Sequence, residues 1–483
     1  MYLGIDVGTS SVKATLIEDE HSVVGSARAP LAVSRPYPGW SEQNPADWIE
    51  AAEAAIGALR TEHARSLAAV KGIGLSGQMH GATLLDAHDR PLRPCMLWND
   101  TRAHREASVL DANPVFRELS GNIVFPGFTA PKILWVKHNE PARFAALRRV
   151  LLPKDYVRLW LTGEHISDMS DASGTSWLRT GARAWSHELL AATGLDVDQM
   201  PSLVEGTERS GTLRAEVAER WGLRHDVIVA GGAGDNAASA CGIGTIASGC
   251  AFISLGTSGV LFAANDRYSP NAASAVHTFC HALPATWHQM GVILSATDSL
   301  NWLGAVLGRR TEELTAELGE KLAPPGRVTF LPYLSGERTP HNDASLRGVF
   351  AGLGHESNPQ ALTRAVLEGI AFALRDNLEA LRAAGTQITR VTAVGGGSRS
   401  RYWLEAIATA LGVPVDAPSA GELGAAFGAA RLALIAAEKA DPASVCTAPR
   451  VAETIEPNPH VSAAYAARYA RFRALLGAAR EPS

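Results

Sequence analysis

Charge is scarce in this sequence and nearly balanced. Charged residues make up 19% of it and the formal net charge is −5, against a usual charged share of about 25%. No basic surplus exists to neutralise a phosphate backbone, which argues against a nucleic-acid partner. The anionic excess is too small to imply a cationic one. Long apolar runs are also missing. None reaches the roughly 18 residues of a membrane span, so no membrane partner is expected. The best candidate, Gly424 to Ala437, is short, Ala-rich and interrupted by Arg431. The first residues do not read as a signal peptide, because Asp6 falls where its apolar segment would lie. Cysteine is sparse: five residues, an odd number, with no Cys-x-x-Cys pair. That excludes a disulfide framework or zinc site as the leading reading and favours reduced core thiols in a cytoplasmic protein. No Gly-x-x-x-x-Gly-Lys-Ser/Thr string occurs, so a P-loop is absent.

What is present is 483 residues, 46% of them hydrophobic. This is ample for two large domains and too apolar for a disordered chain. The texture is α/β: short apolar strands enter Gly-rich turns and Ala/Leu-rich helical stretches follow. Asn44-Pro45 and Asn358-Pro359 read as helix starts, with Asn as N-cap and Pro at the first helical position. Tyr2 to Asp6 reads as a strand, Gly8-Thr9-Ser10 as a turn and Val12 to Ile17 as a returning strand. Cys250 to Leu255, Gly256-Thr257-Ser258 and Gly259 to Ala263 repeat that arrangement in the other half of the chain. The repetition predicts two related halves, 1–243 and 244–483, meeting near residues 240 to 250.

Each Gly-Thr-Ser turn exposes backbone N–H groups and two hydroxyls, which suits phosphate oxygens. One such turn alone is an ordinary β-turn; two in matching places point to a phosphate clamp closing from both halves. Asp6 ends the first strand, where a carboxylate either holds Mg²⁺ through water or initiates the turn. Asp235 follows Gly231-Gly232-Ala233-Gly234 and precedes Asn236-Ala237-Ala238. It reads as an N-cap, as a base for an attacking hydroxyl, or as both. Ser76-Gly77-Gln78-Met79-His80-Gly81 supplies neutral hydrogen-bonding groups suited to a sugar. Trp98-Asn99-Asp100-Thr101-Arg102 either lines a sugar pocket or caps a helix starting near Arg102. Gly395-Gly396-Gly397-Ser398, between a strand and a helix from about Arg401, leaves room for a nucleobase or ribose. Leu334 to His341 is a polar loop whose role the residues alone do not give.

In this order these residues resemble the FGGY family of carbohydrate kinases, within the superfamily of sugar kinases, heat-shock ATPases and actin. Asp6-Val7-Gly8-Thr9-Ser10-Ser11 is similar to its first phosphate motif, Ser254 to Gly259 to its second, and Gly395 to Ser398 to its adenosine motif. Phe128-Thr129-Ala130-Pro131-Lys132 with Trp135 resembles one family signature. Gly336 to Gly348, continuing through Glu368-Gly369, resembles the other. The likeness runs from Asp6 to about Ala436; the tail beyond about residue 437 carries no signal. It implies an α/β fold of two related ribonuclease H-like (actin-like ATPase) domains with the active site in the cleft between them. Gly77 to Asp86, Leu97 to Asp100 with Arg102, and Tyr333 to His341 are similar to the family members that act on D-xylulose. This implies ATP-dependent phosphorylation of D-xylulose to D-xylulose 5-phosphate. By the same resemblance Asp235 is the proton acceptor and Asp6 the magnesium-side carboxylate, with Asp235 sharing the metal. Gln78, Met79, His80, Trp98, Asn99, Asp235 and Asn236 face the sugar. Gly8, Thr9, Ser10, Gly256, Thr257, Ser258 and Gly395 to Ser398 face ATP. A homodimer is implied as well. The rivals are an FGGY kinase of ribulose, gluconate or glycerol, a nucleotide-switched assembly protein of actin or chaperone type, and a non-catalytic sugar sensor. A sensor usually carries a DNA-binding segment, whereas this chain starts at its first strand.

Overall fold

The computed structural model describes residues 1–419 and 424–480. Five strands form most of the first sheet: β1 (Tyr2–Val7), β2 (Ser11–Ile17), β3 (Val23–Pro30), β4 (Gly72–Gly77) and β5 (Ile228–Ala230). They lie in the order β3-β2-β1-β4-β5, with Arg209–Thr212 at the β5 edge. The first two pairings are antiparallel; β1 with β4 and β4 with β5 are parallel. In the second half come β6 (Gly249–Leu255), β7 (Gly259–Asn265), β8 (His277–Cys280), β9 (Trp287–Ile293), β10 (Ile388–Val394) and β11 (Val415–Pro418). The path β9-β7-β6-β10-β11 repeats the first sheet's order and its switch from antiparallel to parallel. The duplication expected from two Gly-Thr-Ser hairpins is thus a duplication of whole sheets.

Helix α1 (Pro45–Ala68) begins as the sequence predicts, with the Asn44 side chain accepting from the Ala46 N–H. Its Ala52, Ile56 and Leu59 enter one core with Leu3, Ile5 and Val7 of β1. Helix α2 (Asp235–Ile243) follows β5. In the second half, α3 (Pro359–Ala383) starts at Asn358, whose side chain accepts from Ala361, and α4 (Arg401–Leu411) follows β10. The Ala-rich stretch considered above as a membrane candidate is helix α5 (Ala425–Glu438). Although it comes after β11, α5 packs on β1, β4 and α2 of the first half. Small residues permit this approach. A Cβ at Gly4 would overlap the Ala426 carbonyl, one at Gly74 the Ala429 carbonyl, and one at Gly428 the Ala238 carbonyl. Arg431 does not break the helix. It is 5% exposed and donates to the Cys241 and Gly242 carbonyls at 3.0 and 3.1 Å. A cation at the carbonyl end of α2 is favourable there. Among the described residues no helix is long and apolar enough to cross a membrane.

Candidate active site

Three parallel segments end side by side. Asp6 of β1 is in register with Ser76 of β4, and Ser76 with Ala233; Gly234 is opposite Gly77. The carboxyl ends of parallel strands therefore carry Asp6, Ser76 and Asp235 together, as ligand sites in open α/β sheets commonly do. Asp6 Oδ1 accepts from Ser76 Oγ at 3.0 Å. Burial raises the Asp6 pKa, opposed by Ser76 and Lys13.

Asp235 is not an N-cap. The cap is Gly234, and Asp235 is the first residue of α2. Its Oδ1 accepts from the Asn236 N–H at 2.7 Å and from Asn236 Nδ2 at 3.0 Å. Burial, and then the negative charge of Asp6, push its pKa up to about 7 against these two bonds. A carboxyl group poised near neutrality suits proton transfer at physiological pH.

The backbone before Asp235 is held from behind. The Gly234 N–H donates to Ser170 Oγ at 3.0 Å, and Ser170 Oγ donates to Asp168 at 2.5 Å. Lys154 Nζ, fully buried, lies 2.6 Å from Asp155, 2.7 Å from Asp168 and 3.0 Å from Asp171. Arg158 donates to the Ala230 and Gly231 carbonyls at 2.6 and 2.5 Å. Burial pushes the Asp171 carboxyl well up, bringing the cluster of two cations and three acids toward neutrality. Sequence reasoning passed over this network. Its only signal was a dense run of charged residues, Lys154-Asp155 and Asp168-x-x-Asp171, inside otherwise apolar surroundings.

His80 faces the same cleft with a left-handed backbone, φ 69°. Its Nδ1 lies 2.7 Å from the Gly174 carbonyl. A carbonyl only accepts, so Nδ1 carries the proton and Nε2 presents a lone pair. Burial lowers its pKa to about 3, so the ring is neutral. Phe128 stacks on it at 4.4 Å. Lys132 and Thr129, from the segment that resembles a family signature, hold the loop, donating to the His80 carbonyl at 2.9 and 3.2 Å. Burial pushes the Lys132 pKa down to about 7. Met79 is buried, packed where a Cβ on Gly234 or Gly174 would meet it.

Gln78 is committed to the protein. Its Oε1 accepts from Thr9 Oγ1 at 3.0 Å and its Nε2 donates to Gln43 Oε1 at 2.9 Å. Trp98, 46% exposed, donates to Thr9 Oγ1 at 3.0 Å. Gln78 and Trp98 thereby brace the first Gly-Thr-Ser turn. Asn99 keeps a buried Oδ1 without a hydrogen-bond partner among the described residues. Asp100 is fully buried and spent on Arg102, at 2.9 Å from its Nε and 2.6 Å from its Nη2, and on the Ser41 N–H at 2.7 Å. It is in no position to replace Asp235 as a base.

Each turn is closed by its glycine N–H at 3.1 Å but over different spans: Gly8 donates to the Ser11 carbonyl three residues on, and Gly256 to the Ser258 carbonyl two residues on. Ser10, Thr257 and Ser258 are exposed. The Gly256 carbonyl accepts from the Thr297 N–H and hydroxyl at 2.9 and 2.7 Å. Beside Thr297 a cavity of about 720 Å³ is lined by Asn301, Gly396, Gly397, Tyr402 and Trp403 among others. Gly395 has φ 92°, and a Cβ there would come within 2.8 Å of the Leu255 carbonyl. Ser398 Oγ donates back to Gly395 at 2.7 Å. Gly396 has open space where a Cβ would lie. Asp6, Met79, His80 and Asp235 thus meet at the first half's strand ends. Gly256 to Ser258 and Gly395 to Ser398 share the second half's.

The chain matches the N-terminal domain of the FGGY family of carbohydrate kinases over residues 1–242 and its C-terminal domain over 251–437. It is 50% identical to a xylulose kinase of Escherichia coli strain K12 across 90% of each chain. A crystal structure described as a xyloylose kinase from Brucella ovis is 66% identical, covers 99% of each chain and superposes with a TM-score of 0.98. The xylulose kinase of Rhodospirillum rubrum is 29% identical, with a TM-score of 0.91 over 99% of this chain and 98% of that one. Two duplicated sheets, paired Gly-Thr-Ser turns and these matches over both halves agree: the chain belongs to the FGGY family of carbohydrate kinases.

Proposed function

We propose that this chain transfers the terminal phosphoryl group of ATP to D-xylulose, giving D-xylulose 5-phosphate, with Asp235 as the general base. The observation that carries the reading is Asp235 itself. Its carboxyl is poised near pH 7, Asp6 is beside it, and the neutral His80 is on the adjoining loop. The similarity to named xylulose kinases supports this choice of sugar. Asp235 takes the proton from the attacking hydroxyl as the bond to phosphorus forms, and the leaving ADP departs in line. His80 Nε2 accepts from a sugar hydroxyl, and Met79 supplies an apolar wall. Ser10, Thr257 and Ser258 offer donors to the phosphates, and the cavity beside Gly396 and Gly397 takes the adenosine.

Asp6 and Asp235 also fit Mg²⁺. Two neighbouring carboxylates suffice for an ion that keeps several waters and binds phosphate oxygens. Among the described residues no cage of three or more ligands exists. When bound, the ion neutralises developing phosphate charge. The division into 1–243, mainly sugar-binding, and 244–483, mainly nucleotide-binding, a cytoplasmic location and a homodimer complete the proposal. Light scattering reads the homodimer.

ADP release measured across pentuloses, hexuloses and polyols tests the reading. D-xylulose is expected to give the highest kcat/KM. Faster use of ribulose, gluconate or glycerol overturns the sugar assignment and leaves the kinase class. His80→Ala is expected to raise the sugar KM by roughly tenfold, the value of one lost buried hydrogen bond, with the ATP KM within about twofold. A fall in melting temperature with unchanged sugar KM would instead make His80 a packing residue.

A further inference from the structure

The loop from Leu334 to His341 has no part in the mechanism above, yet it delivers a cation to the sugar side of the cleft. Both neighbours of Arg338 are pinned. Glu337 Oε1 accepts from the Leu294 and Arg338 N–H groups at 2.9 and 2.8 Å. Thr339 donates through its N–H to the Val292 carbonyl at 3.1 Å and through its hydroxyl to the Ala275 carbonyl at 2.9 Å. Arg338 therefore projects from a rigid base. Its guanidinium lies over the Phe125 ring at 4.8 Å, and its Nη1 is 3.4 Å from His277 Nε2.

These partners are the back wall of the His80 pocket. The His277 ring lies 5.6 Å from Phe128 and 5.4 Å from Phe279, and Phe279 is 6.2 Å from His80. β8, which carries His277, is stitched to the first half: Asn122 exchanges hydrogen bonds of 2.9 and 2.8 Å with the backbone of Thr278. The wall is thus built across the seam between the halves. The Arg338 charge also reaches His277 and His80, helping to keep both rings neutral.

Among the described residues Arg338 has no carboxylate partner. Its neighbour Glu337 spends only Oε1, on two backbone N–H groups; its Oε2 is buried without a partner, and burial pushes its pKa up to about 8 against the nearby charge of Arg338, so this carboxyl does not balance the guanidinium. Lys132, the other cation here, is spent on two carbonyls at 2.9 and 2.7 Å. Among the described residues Arg338 is the cation that keeps unused donors in this partly buried aromatic pocket, beside the unpartnered Nδ1 of His277, and an unsatisfied guanidinium is costly there. His80 and Asp235 both accept, so they suit sugar hydroxyls. A carbonyl oxygen only accepts, and needs a donor.

We propose that Arg338 binds the sugar from the second half of the chain, its guanidinium donating to the carbonyl oxygen of the ketose. This rests on the sugar-kinase reading above and adds to it the group that selects a ketose over a polyol.

The test compares a ketose with its own alditol. Using D-xylulose and xylitol, kcat/KM is measured for wild type, Arg338→Ala and Arg338→Lys, together with the ATP KM. In Arg338→Ala the ketose kcat/KM is expected to fall by about 10- to 100-fold, as for loss of a charge-assisted hydrogen bond. The alditol falls by less than about threefold, so the ketose preference shrinks. Arg338→Lys restores part of it. Equal losses on both substrates, or a raised ATP KM, overturn the proposal. Should Arg338→Ala not fold, Arg338→Lys and Arg338→Met, which keep contact with Phe125, are read by the same ratio. A wild type preferring another ketose overturns the choice of D-xylulose only. A wild type preferring D-xylulose, with the ratio unmoved in the variants, overturns the role of Arg338 only.

Discussion

Asp235→Asn is expected to lower sugar phosphorylation by roughly 10²- to 10⁴-fold, the range of a lost general base. The ATP KM should stay within about twofold. Because phosphoryl transfer has a loose transition state, the proton leaves late and some rate from positioning alone will persist. The substitution does not remove a helix cap, since Gly234 holds that place, and an Asn Oδ1 can still accept from the Asn236 N–H. The wild-type kcat/KM should rise with pH as Asp235 loses its proton, through about 7 in the metal-free enzyme and lower once a cation is held between Asp6 and Asp235; the variant's residual rate should not.

Stability supplies an independent check with a definite sign. The folded-state pKa of Asp235, about 7, lies above its ordinary value of 3.8. Below pH 4 both states hold the proton and nothing is lost. Between about 4 and 7 the unfolded chain has released it and the folded protein has not, so stability falls as pH rises. Asn removes that loss. Asp235→Asn should therefore melt above wild type at pH 8, with the gap closing toward pH 4. A variant with near-native turnover and no such pH-dependent gap would sink the assignment of Asp235.

Gly428→Ala is expected to destabilise the protein by about 3 kcal/mol or more, beyond ordinary overpacking because backbone is struck. The new Cβ would overlap the Ala238 carbonyl and crowd the Gly242 N–H, both on α2. Neither can swing aside as a side chain can. Since α2 begins at Asp235, the same wedge moves the reacting end of the site, and activity should fall at temperatures well below the melting point. Gly57→Ala in α1 is the control. A Cβ there meets nothing within 4 Å, and the helix should gain about 0.5–1 kcal/mol. Thermal melts of the two variants check the contrast; equal shifts would mean that the α2–α5 approach does not limit stability.

Asp6, Asp235 and His80 were legible because each interrupts an apolar strand or follows a Gly-rich turn, where a polar residue needs a reason. The Gly-Thr-Ser repeat exposed the duplication for the same reason. Arg431 and Asp100 mislead when only their local context is considered. Arg431 interrupts an apolar stretch, yet in the fold it caps the carbonyl end of α2. Asp100 has the chemistry of a spare base, yet Arg102 consumes it. Arg338 was visible only as part of a polar loop, because its neighbours Phe125 and His277 come from distant stretches of chain.

The sequence by itself determined the strand and turn positions, the repeated half and the chemical identity of the groups proposed to react. Those follow from periodicity, glycine placement and residue type, which are local. Tertiary structure decided which of the polar residues remain free to act. Gln78 is consumed by Gln43, 35 residues away, and Lys132 by the carbonyl of His80, 52 residues away, while Asp100 is held by Arg102 two residues on and by the Ser41 N–H 59 residues away. His80 and Asp235 keep theirs available. The pKa of Asp235 is likewise a tertiary property, because burial and the charge of Asp6 exist only once β1, β4 and the start of α2 lie side by side.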